Sequence, residues 1–387
     1  MNILFALTYY RPHISGLTIY VQRTVEALAR MGHTVTVLTS RYDSTLSTDE
    51  IINNVRVVRV PITLRINKGV IMPGYTAIAK RLIQSSDVCF LNLPCTPIEA
   101  ISLPNICHKA DKPIVGIYHC DLKLPPGPAN RITNAVATAS VKYAARTVDK
   151  MVIGTEDYAD ASPVLRQCRN KCELIPPPIN IPKPKAADVE AFRLKHAPDG
   201  ETLIGFAARF ATEKGLEYLA QAIPDINKHI PKVKVLFAGP CMNVAGEDHY
   251  RNRVLPLISE LNDRWEFLGV LGDVMETFYA ACDVTVLPSV NCTESFGLVQ
   301  VESMLCGTPV VASDMPGVRV PIIETGMGKL TTPGNSRELA DAIVSVLQNR
   351  EDYIRPAEEI SNIYSLKKTL GLYDDLINRV TNNVRSN

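Results

Sequence analysis

Short apolar runs alternate with amphipathic stretches along nearly the whole chain, and the alternation breaks only once, at a cluster of prolines. The first cycle sets the pattern. ILFAL (3–7) is a continuous apolar run suited to a strand buried on both faces. Ile19, Val21, Val25, Leu28 and Met31 then recur near helical spacing through 18–31, and Gly32 is placed to end that helix as a C-cap residue. TVTVLTS (34–40) reads as the next strand. Strand, helix and strand in succession require a crossover connection, so the fold class is α/β with a parallel, doubly wound sheet.

VRVVRV (55–60), DVCFLNL (87–93), KPIVGIYH (112–119) and KMVIG (150–154) continue the series. Five prolines then fall within the ten residues 176–185, a density that neither a central strand nor a helix interior accepts. The pattern restarts with TLIGFAARF (202–210), VKVLFAG (233–239), WEFLGV (265–270), DVTVLPS (283–289) and TPVVAS (308–313), and 366–380 has the period of a final amphipathic helix. With 387 residues, two Rossmann-like domains are expected: 1–175, a proline-rich linker 176–185, 186–364, and a C-terminal helix and tail 365–387 that packs back on the first domain.

No stretch approaches the roughly 18 uncharged apolar residues of a membrane span, and the opening MNILFALTYYRPH lacks a basic leader, so a cytoplasmic location is expected. The ten cysteines are scattered without zinc-site spacing and suit reduced, mostly buried thiols. The net charge of +1 conceals an asymmetry: residues 1–185 carry 22 basic and 13 acidic side chains, a net of +9, and the remainder is −8. Within the basic half, 61–84 mixes apolar residues with Arg65, Lys68, Lys80 and Arg81, a composition suited to peripheral contact with an anionic membrane at its inner face, or to a helix face that simply meets water. A nucleic-acid partner is not expected.

In open parallel sheets, ligands bind beyond the C-terminal ends of the strands, which selects four loops. RPHISGLT (11–18) follows the first strand, and Gly16 would let backbone approach a ligand; its spacing is not that of a GxGxxG dinucleotide site. GIYHCDLKLPPG (116–127) places His119 and Asp121 just past a strand end. FAARFATEKGLEYL (206–219) offers Arg209 and Lys214 ahead of a helix, where charge, donors and helix dipole all favour a diphosphate. LPSVNCTESFGLVQVESMLCGTPVVAS (287–313) carries Glu294 before a helix opened by Phe296, Gly297 and Leu298, and Glu302 within it. Free N–H groups at a helix start suit phosphate or sugar oxygens, and carboxylates accept pairs of bonds from vicinal hydroxyls. The competing reading of the last loop is N-terminal capping by Glu294 with Glu302 on the surface.

Glu294 and Glu302, the surrounding ESFGLVQVESMLCGTPVVAS, the Arg209/Lys214 pair in ARFATEKG, and SGLTIYVQRTVEALARMGHTVTVLTS (15–40) together resemble the retaining glycosyltransferases of family four, in that family's order and over nearly the whole chain. The resemblance implies a GT-B fold, two facing Rossmann-like domains with the active site in the cleft. It implies that Arg209 and Lys214 hold the donor diphosphate, that Glu294 binds the transferred sugar with help from Phe296 and Gly297 backbone, that Leu298 and Val299 N–H groups touch phosphate, and that Glu302 binds the ribose. Gly16 would approach the diphosphate, His119 would contact the sugar near the reaction centre, and backbone near Leu268–Leu271, with Leu271 in the donor site, would meet the base. Three positions depart from the family: Ser15 stands where a first glycine is common, Thr18 where an acidic residue is common, and Ala208 where a glycine often precedes the arginine. The expected reaction is retaining transfer of a hexosyl group from a nucleoside diphosphate sugar to an acceptor hydroxyl, lipid-linked or otherwise, with no cofactor and no metal. A sugar-nucleotide epimerase of the same fold and a silent sugar-binding module are the alternatives.

Overall fold

The structure, a computed structural model, describes every residue except 67, 68, 124–126, 243, 245, 386 and 387, and leaves aside the side chains of 66, 128–130 and 383–385. The chain divides into two compact units, Met1–Pro178 joined by the segment from Leu366 onward, and Ile179–Ser365. Residues 175–185, which hold the proline cluster, have no regular secondary structure, and the division falls inside them.

The first unit contains β1 (Asn2–Ala6), β2 (Thr34–Arg41), β3 (Asp49–Ile52), β4 (Val55–Pro61), β5 (Leu64–Ile66), β6 (Gly69–Ile71), β7 (Val88–Leu93), β8 (Ile114–Tyr118), β9 (Lys150–Ile153) and β10 (Cys172–Leu174). Eight of these form one sheet in the order β10-β9-β8-β7-β1-β2-β4-β3, parallel except for β3 against β4. β7 and β8 are buried along their whole length, as continuous apolar runs require. Helices cover both faces. Tyr75, Ala79, Leu82 and Ile83 of the Tyr75–Gln84 helix, with Leu103 and Cys107 of the Pro97–Lys109 helix, fill one side. Val21, Val25 and Leu28 of the Gly16–Arg30 helix fill the other, together with Tyr373, Leu376 and Ile377 of the tail helix Leu366–Arg385.

Local chemistry ends the first helix where the pattern predicts. Gly32 adopts φ +93°, its N–H bonds Ala29 O, and the N–H of His33 bonds Leu28 O, which is the Schellman arrangement. The tail helix is held by Arg379 on Glu173 at 3.0 and 3.2 Å and by Thr369 donating to Pro176 O at 3.0 Å.

The second unit contains β11 (Thr202–Ala207), β12 (Val233–Ala238), β13 (Trp265–Gly269), β14 (Val284–Leu287), β15 (Val310–Ser313) and β16 (Gly328–Thr331), all parallel, in the order β13-β12-β11-β14-β15-β16. β3, β10 and β16 are edge strands of three or four residues, each interrupted by charged side chains, and carry no apolar run to announce them. β5 and β6 form a separate two-stranded hairpin. In 61–84, Ala79, Leu82 and Ile83 therefore belong to the core while Lys80 and Arg81 face water; Lys68 lies outside the described residues. Among the described residues no helix is long and apolar enough to cross a membrane.

Candidate functional site

Strand order reverses between β11 and β14 in the second sheet, which makes the C-terminal ends of these two strands the place where an open parallel sheet binds a ligand. Arg209 and Lys214 lie in the loop after β11 and Glu294 in the loop after β14. Close backbone approach draws the loops together. Gly215 has φ +68°, and a Cβ there would sit 2.2 Å from Pro288 O. Val290 N–H donates to Glu213 O at 3.0 Å. The loop after β12 packs in the same way, since a Cβ on Gly239 would lie 1.9 Å from Ala208 O. Buried Glu247 anchors the Arg209 loop by accepting from Thr212 N–H at 3.0 Å and from its hydroxyl at 2.7 Å.

Each cation is oriented by a carboxylate. Arg209 Nη2 donates to Glu213 Oε1 at 2.8 Å, and Lys214 Nζ forms an ion pair with Glu294. Glu294 therefore does not cap the following helix. The N-cap of the Leu298–Leu305 helix is Gly297, which offers no side chain to the N–H groups of Leu298 and Val299. Glycine is required there twice over: φ is +79°, and a Cβ would fall 2.4 Å from Leu287 Cδ2 and 2.7 Å from Gln300 Nε2. Gln300 Nε2 braces the helix start by donating to Phe296 O at 2.8 Å and Val318 O at 3.0 Å. Phe296 itself is a core residue, edge-on to Tyr364 at 5.6 Å, so only its backbone is available to a ligand.

Glu302 is buried, not a surface glutamate, and Tyr279 OH donates to its Oε2 at 3.1 Å. Leu271 lies past the end of β13, half-buried among Leu268 and Met275, in a segment that turns through Gly269 (φ +70°) and Gly272 (φ +59°). Among the described residues, no three His, Cys, Asp or Glu side chains gather where they would share a metal ion.

The first sheet reverses between β1 and β7. Gly16 is the first residue of the helix that follows β1, and a Cβ on it would meet nothing within 4 Å. Two of the departures from the family form a capping box: Thr18 N–H donates to Ser15 Oγ at 3.2 Å, and Ser15 N–H donates to Thr18 Oγ1 at 2.8 Å. Beyond β8, His119 Nε2 lies 2.8 Å from Asn92 Oδ1, and its N–H bonds Leu93 O at 2.8 Å. Burial pushes the His119 imidazole down to about 3. The Tyr20 ring meets it edge-to-face with centroids 4.9 Å apart, and Tyr20 OH bonds Tyr373 OH of the tail helix at 2.6 Å. Asp121 is an anchor for its loop, accepting from Tyr118 OH at 2.7 Å and Ser162 Oγ at 2.9 Å.

Asn92, Tyr20, Tyr279 and Glu213 escaped the reading of the sequence. Asn92 alone left a signal, as the one polar residue inside VCFLNL.

Comparison with known proteins accounts for both halves. Residues 14–182 match the family model for Glycosyltransferase Family 4, and 188–362 match that for Glycosyl transferases group 1. The chain is 28% identical to an uncharacterized glycosyltransferase of Methanocaldococcus jannaschii over 96% of its own length and 98% of the relative's. It is 23% identical to a phosphatidyl-myo-inositol mannosyltransferase of Mycolicibacterium smegmatis, over 89% and 85% respectively. Among solved structures, Anabaena HepE in complex with UDP superposes with a TM-score of 0.78 at 20% identity, over 98% of this chain and all of that one. With two family models in tandem and a whole-chain structural match of this extent, the chain belongs to the family-four, group 1 glycosyltransferases of GT-B fold.

Proposed function

We propose that this glycosyltransferase moves a hexosyl group from a nucleoside diphosphate sugar to an acceptor hydroxyl with retention at the anomeric carbon. The observation that carries the reading is the Lys214–Glu294 ion pair at the switch point of the second sheet, which puts a cation suited to diphosphate beside a carboxylate suited to sugar hydroxyls. Arg209 and Lys214 offset the charge that builds on the leaving diphosphate. The N–H groups of Leu298 and Val299, at an uncapped helix start, suit phosphate oxygens. Buried Glu302, steadied by Tyr279, suits the ribose diol. The anomeric C–O bond to phosphate breaks as the bond to the acceptor oxygen forms on the same face, and the leaving phosphate takes the acceptor proton. Metal is not required for these steps in this proposal, because Arg209 and Lys214 would supply two cations to the diphosphate.

The acceptor in this proposal is lipid-linked. Support comes from the +9 charge of residues 1–185 and from the Pro128–Thr147 helix, which has no acidic residue and exposes Ile132 (69%) and Val136 (51%) beside Arg131. This face would meet anionic lipid; on the Tyr75–Gln84 helix the apolar Tyr75, Ala79, Leu82 and Ile83 are buried, and Lys80 and Arg81 face water. The mycobacterial relative acts on phosphatidyl-myo-inositol by its name, so phosphatidylinositol is the first acceptor to try. Incubation with UDP-, GDP- and ADP-linked hexoses and phosphatidylinositol vesicles, with release of nucleoside diphosphate as the readout, tests the proposal; no release from any donor would refute it for this acceptor.

A further inference from the structure

Asn92 lies on β7 with no exposed surface, a polar side chain in an otherwise apolar strand. Burying an amide is unfavourable unless its hydrogen bonds are made, and here they orient it. Asn92 Nδ2 is 3.1 Å from Ala6 O on the neighbouring β1. A carbonyl oxygen only accepts, so the amide nitrogen must face Ala6, and Asn92 Oδ1 must face His119 Nε2 at 2.8 Å. An amide oxygen also only accepts, so the imidazole proton resides on Nε2. Burial opposes a second proton on the ring. The residue is steadied by its backbone N–H bond to Leu93 O and by the perpendicular Tyr20 ring, which the tail helix holds through Tyr373.

We propose that Asn92 is a positioning residue for sugar transfer: it locks His119 as the neutral Nε2–H tautomer, so that Nδ1 serves as a hydrogen-bond acceptor for a hydroxyl of the substrate and the ring acts neither as acid nor as base. The role in transfer rests on the proposed function; the tautomer does not.

Long-range proton–nitrogen correlation NMR of the ¹⁵N-labelled full chain reads the tautomer directly, with the His119 signals assigned by their loss in His119→Gln. The expected result is a protonated Nε2 and a lone-pair Nδ1, unchanged from pH 8 to pH 5. A protonated Nδ1, a tautomer mixture, or titration near the ordinary histidine value would overturn the proposal whether or not the protein transfers sugar. Asn92→Leu removes the acceptor; it should mix the tautomers and lower kcat roughly tenfold, the loss of about one substrate hydrogen bond, with the donor KM nearly unchanged. Asn92→Asp keeps an acceptor at Nε2 and adds a charge, so it should retain the tautomer, recover most of the rate near pH 8, and gain a loss of rate at acidic pH as the ring protonates. If Asn92→Leu mixes the tautomers at full kcat, or if Asn92→Asp is as slow as Asn92→Leu at pH 8, the positioning role is wrong.

Discussion

Lys214 and Glu294, 80 residues apart in the chain, form an ion pair that joins the loops after β11 and β14. Both side chains are mostly buried, with 19% and 13% of their surface exposed, so the pair is not a solvated surface bridge. Its geometry puts the cation proposed to bind diphosphate and the carboxylate proposed to bind the sugar within one contact of each other.

The clamp cations should separate activity from stability. Arg209→Ala and Lys214→Ala should each lower kcat by about 10²-fold, the effect of losing one preorganised transition-state donor. Stability should respond unequally. Lys214→Ala strips a mostly buried carboxylate of its ion-pair partner, costing roughly 1–3 kcal/mol, whereas the more exposed Arg209–Glu213 pair contributes about 0–1 kcal/mol. Steady-state kinetics alongside urea unfolding checks both; wild-type turnover in the double variant would remove the pair from the mechanism.

Division of labour between the glutamates can be read from product binding. Glu302→Ala should weaken binding of the nucleoside diphosphate, and Tyr279→Phe should do so to a smaller degree by releasing one carboxylate oxygen. Glu294→Ala should spare product binding and impair transfer. Calorimetric titration of the three variants with UDP, GDP and ADP decides it: equal loss of product affinity in Glu294→Ala and Glu302→Ala contradicts the assignment.

Two glycines should behave in opposite ways. Gly297→Ala forces a left-handed φ on alanine and drives a methyl into Leu287, so it should destabilise the fold by more than about 1 kcal/mol. Gly16→Ala meets nothing within 4 Å and should leave stability within about 0.5 kcal/mol of wild type. A fall in donor affinity in Gly16→Ala at unchanged Tm would then report ligand approaching that backbone, and unchanged affinity would count against it.

Anionic vesicles should sediment with the protein at low salt, and neutral vesicles should not. Each basic residue near the bilayer contributes about 1 kcal/mol, screened within a Debye length of ~8 Å at physiological salt, so binding should fall steeply as salt rises. Ile132→Asp with Val136→Asp should abolish it. Equal binding to neutral and anionic vesicles would contradict a charged docking face.

The readable part of the chain is what local pattern controls. Runs such as VCFLNL and VKVLFA announced central strands because both faces are buried, and the strand ends pointed to the loops that hold His119, Arg209, Lys214 and Glu294. The edge strand GKLT escaped because it is short and its composition is that of a loop, whereas the edge strand WEFLG kept enough apolar residues to be read. Side-chain partners escaped for another reason. Tyr20 with Tyr373, Asn92 with His119, and Tyr279 with Glu302 meet through sheet order and helix packing, over separations of 353, 27 and 23 residues, which no periodicity encodes. Phe296 illustrates the limit within a loop: its position was legible, but the burial of its ring against Tyr364 was not.

The most direct test is an NMR assay of sugar transfer with UDP-, GDP- and ADP-hexoses labelled at the anomeric carbon, each with and without phosphatidylinositol vesicles. The account predicts that one donor releases nucleoside diphosphate only when acceptor is present, in step with a new glycosidic signal of the donor's own anomeric configuration, and that Lys214→Ala nearly abolishes both. A product of opposite configuration would contradict retention. Donor consumed without acceptor and recovered as an epimerised sugar would contradict transfer itself.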